Sequence, residues 1–565
     1  MSLNGIIGLC DEIRIIIITL SGNYFPISKG PTIVVYGGEL PAVCAAAKAA
    51  ATSASATIHV IVPYVTAKLG GIATVGGQNY WDTSNGETNP ANFPQQGTFP
   101  WLYQSGSGYN TDEMADKLEG ALTKYGSRMV IHYGYDVCDY TTVTSPNYQI
   151  KSVTIRKLSY DSNKRVIWGS TSTRSTISAD IFIDASVEGR LARKINSACT
   201  TGRYDWPSNY RSETVVSKAA KQQAATLMLK LTGINRQAST AGKSFGYSYD
   251  SRSKAYTCWG GSIQYKDKSS ALAKFNEKYD GQGYMLKPVN AAQNGANSNE
   301  WWINSFLIYN VDGRAHHRDK GTAFYPSMVS GTKNVDDAWV DARAFLKNHA
   351  SEVLAALREF PGFESANFVY DSSGYPVVGD VLYIRETVHM AIQSTYSGSN
   401  AENANYQVGT LEALRAGTGS GNGSDKANYS HRIGLAHYGA DIHPYSPEDC
   451  KNSSGEWIWN YDGYRKMRPD LNIQDNAPTN PVYLPYEALI TTYVSNLLLP
   501  GYAANVSSFA WGEIRVLPNL CVLGDAAGVA AGYCVNNGYL PRYLNDSQIQ
   551  AVQNLLKSVD AKIDK

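Results

Sequence analysis

A strand, a glycine pair, a helix and a second strand follow one another early in the chain, and this unit constrains the fold more than any other feature. Residues 32–36 (TIVVY) form an apolar run, a glycine pair (37–38) makes a tight turn, and residues 41–51 form an Ala-rich helical segment that starts with proline. Residues 57–62 form a second apolar run. Such a unit holds two parallel strands side by side under a covering helix. The sequence therefore predicts an α/β fold with a buried parallel sheet.

The same α/β pattern continues on both sides of a long polar stretch. Before residue 205 we predict a helix over 111–125, a strand over 128–133, an antiparallel meander over 148–178 and a strand over 180–184. Residues 204–480 are polar and rich in Tyr and Ser, with one amphipathic helix over 336–360. Near the C-terminus we predict a strand over 519–523, a turn over 524–528, a helix that starts at residue 529 and a final helix over 546–562.

Charge and cysteine content exclude several classes of function. The chain carries 50 Lys and Arg against 49 Asp and Glu, so it offers no general attraction for nucleic acid or for an anionic membrane. Its longest purely aliphatic run, residues 15–18, is far shorter than the roughly 20 apolar residues of a membrane helix. The eight cysteines are dispersed, and His316 and His317 are adjacent and lack partner ligands, so we predict no metal site. The compartment and the oligomeric state stay open.

The first turn and helix fill the frame of the dinucleotide-binding fingerprint G-x-G-x-x-G/A. In that frame the first glycine makes the turn, the second lets a diphosphate approach the backbone, and the third permits close packing of the helix. Gly37 and Ala42 occupy the first and last positions, but Glu39 replaces the middle glycine. An acidic residue that would hold the ribose hydroxyls is also missing after Val62, where proline and tyrosine follow. These residues leave two alternatives: a dinucleotide site, or an ordinary strand–helix–strand unit without a nucleotide.

Two further segments favour the dinucleotide interpretation. Gly70 and Gly71 follow the second strand, where their backbone can close over a cofactor. Near the C-terminus, residues 522–532 place Asp525 in a predicted small-residue turn, where its carboxylate can accept hydrogen bonds from ribityl or ribose hydroxyls. The helix that follows this turn would present free N–H groups to an anion.

Several stretches resemble, in the same order, the bacterial FAD-dependent oxidoreductases of the two-dinucleotide-binding-domain superfamily, some of which are labelled xanthan lyase. The stretches with family counterparts are 34–38, 69–74, 183–192, 383–387, 441–444, 485–489 and 496–531. The resemblance implies FAD as cofactor and a Rossmann-like FAD-binding domain of glutathione-reductase type with an antiparallel β-meander. It further implies an inserted, mixed α+β substrate domain. Glu39 and the missing acid after Val62 depart from the family's pattern.

This resemblance also implies a domain division. We expect residues 1–29 to be a leader or an extra strand. Residues 30–205 and 480–565 would form a discontinuous FAD-binding domain, and residues 206–479 a substrate or cap domain.

Candidate site residues follow from the motif and the resemblance together. The expected FAD-binding residues are Gly37, Gly38, Glu39, Pro41, Ala42, Gly70, Gly71, Ile72, Ala73, Val137, Asp184, Ala185, Gly189, Gly524, Asp525, Gly528 and Val529. The expected catalytic residues are Arg385, His437 and His443, since an arginine can bind an anionic substrate and a histidine can move a proton. The alternative is that Arg385 and Glu386 form a structural ion pair and that the histidines are hydrogen-bonded core or loop residues.

Three functions are consistent with these features. The first is an FAD-dependent oxidoreductase that acts on a small organic substrate, with carbohydrate derivatives among the candidates. The second, from the label carried by some family members, is a carbohydrate-active lyase. The third is a cofactor-free, non-catalytic descendant that acts as a binding protein, which the departures at Glu39 and after Val62 would explain. The expected partner is a small-molecule substrate, and neither nucleic acid nor a membrane is expected.

Overall fold

The computed structural model describes the following residues: 30–83, 94–195, 199–390, 429–439, 441–459, 481–491 and 493–564. The leader or extra strand expected over 1–29 lies outside them.

Strands and helices alternate at both ends of the chain, and strands dominate its middle. The strands are β1 (Thr32–Tyr36), β2 (Thr57–Val62), β3 (Met129–Tyr133), β4 (Tyr135–Val143), β5 (Gln149–Tyr160), β6 (Val166–Trp168), β7 (Arg174–Ser178), β8 (Ile181–Asp184), β9 (Thr200–Thr201), β10 (Ala225–Thr232), β11 (Phe245–Asp250), β12 (Ala255–Gly260), β13 (Tyr284–Gln293), β14 (Trp301–Ile308), β15 (Val311–Asp312), β16 (Lys333–Asn334), β17 (Asn367–Phe368), β18 (Val388–His389), β19 (Arg432–Ala436), β20 (Val482–Pro485) and β21 (Leu497–Leu498). The α-helices are α1 (Leu40–Thr52), α2 (Phe99–Tyr103), α3 (Thr111–Thr123), α4 (Arg190–Ile195), α5 (Ser262–Lys266), α6 (Ala271–Tyr279), α7 (Val335–Asn348), α8 (Ala350–Leu357), α9 (Ser508–Ile514), α10 (Leu517–Asn537) and α11 (Asp546–Ser558).

A five-stranded parallel sheet forms the core of the first and last parts of the chain. Its order is β21–β8–β1–β2–β3, so β1 lies between β8 and β2. Ile33 pairs with Ile58 on one side and with Ile181 on the other. Residues 33–36 are fully buried because α1 packs on one face of the sheet and the β4–β5 region on the other. The predicted parallel α/β sheet is confirmed, and β1 and β2 have the predicted bounds.

α10 packs along α1 in place of the strand and the turn predicted over 519–528, and that local prediction was wrong. A Cβ atom on Gly524 would lie 2.5 Å from the carbonyl oxygen of Pro41, and one on Gly528 would lie 2.3 Å from that of Ala45. The small residues, spaced four apart, therefore allow two helix backbones to approach closely. A short apolar run has the same composition in a buried strand and in a buried helix, so periodicity alone could not decide between them. The fifth parallel strand is β21.

The middle of the chain builds antiparallel sheets. β4, β5, β6 and β7 form the meander expected after β3. A six-stranded sheet of order β11–β12–β13–β14–β10–β17 follows, with α6 and α8 packed beside it. The single helix predicted over 336–360 is two helices, because His349 leaves the helical conformation at φ −120° and ψ 23°.

No single helix within the described ranges is both long and apolar enough to cross a membrane. Taken together, α9 and α10 have the length and the apolar composition of a membrane span, but the two helices are bent by 100° relative to each other. The residues described here also contain no cluster of three or more His, Cys, Asp or Glu side chains arranged to hold a metal ion.

Candidate functional site

A cavity of about 390 Å³ lies at the edge of the parallel sheet where β1, β2 and β8 end. Glu39 lines it after β1, residues 63–66 line it after β2, and residues 186–188 line it after β8. Residues 376–382 and neighbouring parts of the middle region form the opposite wall. In open parallel sheets, ligands bind outside the carboxyl ends of the strands, so this cavity has the position of a dinucleotide site.

The predicted Gly37 turn is made by close backbone contacts. Gly37 has φ +133°, and a Cβ atom on it would lie 2.7 Å from the carbonyl oxygen of Ala185. A Cβ atom on Gly38 would lie 2.4 Å from the ring of Tyr64. α1 then begins with Pro41 in its first turn, as predicted. Both glycines therefore make room for this protein's own atoms.

Glu39 turns its carboxylate inward over the next loop. One oxygen accepts a hydrogen bond from the Tyr64 hydroxyl at 2.5 Å, and the other accepts one from the Ile72 backbone N–H at 3.0 Å. A Cβ atom on Gly71 would lie 1.9 Å from the Glu39 carboxylate. Burial raises the pKa of Glu39 to about 7, despite both hydrogen bonds. The turn thus carries an internal acid where the fingerprint has a bare glycine.

The loop after β2 and the end of β8 also lie at this turn. The Gly70 N–H donates to the Gly38 carbonyl at 2.7 Å, and Ile72 and Ala73 are buried beneath it. Asp184 accepts hydrogen bonds from Ser186 and from the Ala192 N–H, which orders the loop between β8 and α4. The Ala185 N–H donates to the Tyr36 carbonyl, and Gly189 turns the chain into α4 at φ +55°.

Other predicted cofactor residues lie away from the cavity. Gly524, Asp525, Gly528 and Val529 are in the middle of α10, so the predicted role of this segment as a ribityl-binding turn needs correction. Asp525 instead accepts hydrogen bonds from the backbone N–H of Thr98 at 2.7 Å and from its hydroxyl at 2.6 Å. The Val137 carbonyl accepts from Arg190 Nε at 2.7 Å. These contacts stabilise the packing of the chain's own elements.

The floor of the cavity is an ion cluster that sequence reasoning missed. Tyr36, the last residue of β1, donates from its hydroxyl to Asp136 at 2.7 Å and to Glu188 at 3.0 Å. Arg318 pairs with both of these carboxylates. Arg190, which is fully buried, pairs with Asp319 at 2.5 Å. These residues come from four separate segments, and although Tyr36, Glu188 and Arg190 lie in family-like stretches, no motif indicates that they meet.

His316 belongs to the same ion cluster. Its Nε2 lies 3.2 Å from Glu188, and its Nδ1 lies 3.4 Å from Asp336. Burial and the Arg318 charge would lower the pKa of His316, but the Glu188 and Asp336 carboxylates outweigh them and raise it to about 9. The imidazole is therefore a cation at neutral pH, facing the cavity.

Two of the three predicted catalytic residues meet in a second buried cluster. Arg385 is 1% exposed and donates to the Ala224 carbonyl at 2.7 Å. His443 lies with its Nε2 3.5 Å from Asp441, and its backbone N–H donates to Gln223. Burial and the charge of Arg385 lower the pKa of His443 well below its usual value. Glu386 does not pair with Arg385 but hydrogen-bonds His389 at 3.0 Å. The structural ion pair considered above is therefore absent from the described residues.

Four more charged residues complete this cluster, which we call the cationic cluster: Asp82, Lys287, Asp441 and Arg515, with Arg385 and His443. Arg515 pairs with Asp441 at 2.7 Å. Burial and the Arg385 charge lower the pKa of Lys287 to about 7, and burial raises that of Asp82 to about 7. Asp441 lies in a family-like stretch, whereas Lys287 and Asp82 carry no sequence signal.

The cavity and the cationic cluster adjoin along one extended segment, residues 382–385. Leu382 and Ile384 line the cavity. Tyr383 and Arg385 alternate with them and lie on the side of the cationic cluster, where Arg515 donates to the Tyr383 hydroxyl at 3.0 Å. Tyr383 also exchanges backbone hydrogen bonds with Thr226 of β10, which gives the segment the alternation of a strand.

His437, the third predicted catalytic residue, follows β19. Its backbone N–H donates to the Asn519 side chain on α10 at 3.3 Å. The structure thus places His437 against α10, while Arg385 and His443 meet in the cationic cluster.

The sequence model of the family described as FAD dependent oxidoreductase matches residues 32–556, most of the chain. The chain belongs to the FAD dependent oxidoreductase family. FAD is the cofactor of this family, and the predicted recognition, enzyme class and cofactor are confirmed at this level. No curated protein matches the chain.

Solved structures give distant similarities to this FAD dependent oxidoreductase. The myxobacterial chondrochloren halogenase CndH shares 8% identity over 49% of this chain and 53% of its own, with a TM-score of 0.24. The flavin-dependent halogenase CmlS shares 8% identity over 64% of this chain and 52% of its own, with a TM-score of 0.31. The aromatic hydroxylase CabE shares 10% identity over 65% of this chain and 55% of its own, with a TM-score of 0.28. The chain spans about half the length of these proteins.

The cavity has the right position for FAD, but the Gly37 turn does not fit the diphosphate in this conformation. The Glu39 carboxylate and the Tyr64 ring lie across the turn, where a diphosphate would rest on its N–H groups. An ionised carboxylate would also repel that diphosphate. Among the residues described, Glu39 is the one predicted cofactor residue that lines the cavity, whose wall is otherwise formed mostly by the segments after β2 and β8 and by parts of the middle region.

Proposed function

We propose that this FAD-dependent oxidoreductase acts on a small organic molecule that binds at the cationic cluster, with the cofactor in the adjoining cavity. The position of residues 382–385 between the cavity and the cluster supports this proposal most directly. This one segment contributes Leu382 and Ile384 to the cavity and Tyr383 and Arg385 to the cluster. A cofactor and a substrate on these two surfaces would be neighbours.

The cluster residues suit binding and proton transfer. Arg385 keeps its charge in a buried position, where electrostatic interactions are strong, so it can orient a polar substrate. His443 is neutral at neutral pH, and its Nδ1 has no hydrogen-bond partner within the described segments. With the ring proton on Nε2, which faces Asp441, Nδ1 is the nitrogen that can accept a proton from a substrate hydroxyl. When bound, FAD supplies the acceptor for an electron pair.

FAD binding at the Gly37 turn would require Glu39 and Tyr64 to leave it. Glu39 is held by one backbone and one side-chain hydrogen bond, and both can be replaced by hydrogen bonds to the phosphates or to water. We infer that loading of the cofactor is coupled to this rearrangement.

A carbohydrate-active lyase is the second candidate, and the cationic cluster is the observation that favours it. Elimination beside a carboxylate needs cations that offset the charge of the carboxylate and a neutral base that removes the adjacent proton. Lys287, Arg385 and His443 offer those two roles. This function would use FAD for structure or not at all.

An anaerobic titration separates the candidates. The purified chain is loaded with FAD, its visible spectrum is recorded, and candidate alcohols, amines and sugar acids are added without oxygen. Bleaching of the flavin band supports the oxidoreductase, whereas a new ultraviolet absorbance from an unsaturated sugar without bleaching supports the lyase. A protein that takes up no FAD, even with Glu39 replaced by glycine, contradicts the proposal and leaves the cofactor-free binding protein.

A further inference from the structure

Lys287 and Arg385 differ from the other buried cations of this protein. Arg190, Arg314 and Arg318 each lie within 4.0 Å of a carboxylate. In the part of the chain that the structure describes, Lys287 and Arg385 have no carboxylate within that distance, although they are only 4% and 1% exposed. Two cations without a contacting carboxylate therefore belong to one buried cluster, in which Asp82 and Asp441 attract Lys287 from beyond contact distance.

Such an arrangement is costly for the protein alone. Burying a charge without a partner opposes folding, and proteins normally pair buried charges or neutralise them. Burial and the Arg385 charge lower the pKa of Lys287 to about 7, so this side chain can lose its proton and its charge near neutral pH. Groups with such perturbed protonation, gathered in one place, are characteristic of ligand-binding and catalytic sites.

Unused donors point to the chemistry of the missing partner. Arg385 uses one terminal nitrogen on Ala224, and its Nε has no partner within the described ranges. The Lys287 ammonium donates to the Pro288 carbonyl at 3.1 Å, which leaves two of its three donors without a partner among the described residues. Gln223 Nε2 and His443 Nδ1, beside Arg385, also lack partners among the described residues.

We propose that the cationic cluster binds the carboxylate of a small organic acid, with Lys287 and Arg385 as its direct ligands. One carboxylate oxygen accepts from Arg385 Nε and the other from the Lys287 ammonium, which supplies the contacting anion that these two cations lack among the described residues. Asp441 does not fill this role, because it is paired with Arg515. The inference names the substrate class at the site of the proposed function and rests on that assignment, but carboxylate binding itself requires neither FAD nor turnover.

The remaining polar groups of the cluster suit a hydroxylated acid. Asn304 donates to the Tyr80 hydroxyl at 3.3 Å, and its carbonyl oxygen lies 3.5 Å from an Arg385 terminal nitrogen. Both side chains are buried, and Asn304 contacts Arg385. Amide and phenol groups in this position can exchange hydrogen bonds with substrate hydroxyls next to the carboxylate.

The test uses acetate, the smallest carboxylate of this type, on the purified full chain without added FAD. Thermal unfolding is followed with sodium acetate, with the neutral isostere acetamide and with sodium chloride at equal ionic strength. We expect acetate alone to raise the melting temperature, by about 1–3 °C at saturation. Equal shifts with acetate and chloride, or an equal effect of acetamide, would overturn the proposal.

Substitutions assign the effect to the cluster. In Lys287→Met we expect the acetate shift to disappear and the ligand-free protein to melt at a higher temperature than the wild type, because an unpaired buried charge has been removed. Lys287→Arg retains the charge and should retain most of the acetate shift. Lys333→Met is the matched control, since Lys333 pairs with Asp341 on the surface, and it should behave as the wild type. An acetate shift that survives Lys287→Met contradicts the assignment whether or not the chain proves to be a redox enzyme.

Discussion

The Glu39 carboxylate lies 3.0 Å from the Ile72 backbone N–H and closes the turn that a dinucleotide-binding fold keeps open. Glycine at this position of the fingerprint lets a diphosphate reach the backbone. Here that position carries an acid of the chain itself, whose carboxylate accepts a hydrogen bond from the neighbouring loop. The parallel sheet, the glycine turn and the family assignment therefore coexist with a cofactor site that has to be opened.

Replacing Glu39 tests this relationship directly. In Glu39→Gly we expect FAD to bind at least about tenfold more tightly than in the wild type, because the substitution removes a negative charge and the contact with Tyr64. Quenching of FAD fluorescence gives the dissociation constant. Glu277→Gln, on the exposed side of α6, is the control and should not change it. Unchanged or weaker binding in Glu39→Gly would show that the diphosphate is held elsewhere.

FAD affinity should also depend on pH through Glu39. Burial raises the pKa of Glu39 to about 7, so this carboxyl group is neutral below that pH and ionised above it. Tyr64 and Tyr502, the other titratable groups that act on it, stay neutral because burial raises the pKa of each well above its usual value. The affinity should therefore fall as pH rises from 6 to 8, by about tenfold, and Glu39→Gln should remove this dependence. A wild-type dissociation constant that is flat with pH contradicts the prediction.

Breaking the Arg190–Asp319 pair should destabilise the fold. Asp319→Asn removes the 2.5 Å partner of the fully buried Arg190 and leaves it the more distant carboxylates of Glu188 at 3.5 Å and Asp136 at 3.9 Å, so we expect a cost of about 1–3 kcal/mol. The midpoint of urea unfolding, followed by tryptophan fluorescence, measures it. Asp341→Asn removes the partner of the exposed Lys333 and should cost less than about 1 kcal/mol. Similar midpoints for the two variants would mean that the ion cluster is solvated.

Replacing a glycine by alanine should lower the stability of the fold in α10 and raise it in α3. Gly528→Ala places a methyl group 2.3 Å from the Ala45 carbonyl oxygen, so we expect a loss of about 1–3 kcal/mol as α10 is pushed from α1. Gly120→Ala, in α3, meets no atom within 4 Å and should gain up to about 1 kcal/mol from helix propensity. Melting temperatures of the two variants decide the matter. A neutral Gly528→Ala would mean that the two helices are not in close contact.

The sequence predicts the first part of the fold well because the signals there are local. β1, the glycine turn, α1 and β2 differ in composition and periodicity over a few residues, and the structure places them as predicted. α10 was missed because its small residues serve to pack against α1, a helix almost 500 residues earlier in the chain. Gly528, for example, lies against the backbone of Ala45. Helix packing of this kind is a tertiary property that a local window does not contain.

The candidate site divides in the same way. Arg385 and His443 could be selected because they stand in family-like stretches, and the structure brings them together. Lys287 and Asp82 could not be selected, since they lie in unrelated parts of the chain and acquire their unusual protonation only from mutual burial. The sequence showed that Glu39 departs from the fingerprint. It could not show that the side chain turns inward, because that orientation depends on the hydrogen bond from the Ile72 backbone N–H.

The alternating side chains of residues 382–385 have a consequence for how two ligands would affect each other. Leu382 and Ile384 face the cavity, and Tyr383 and Arg385 face the cationic cluster, so a displacement of this strand moves both surfaces at once. A ligand that fixes the strand from one side alters the free energy of binding on the other, and thermodynamic linkage makes that coupling equal in both directions. Cofactor and organic acid are thus expected to bind cooperatively.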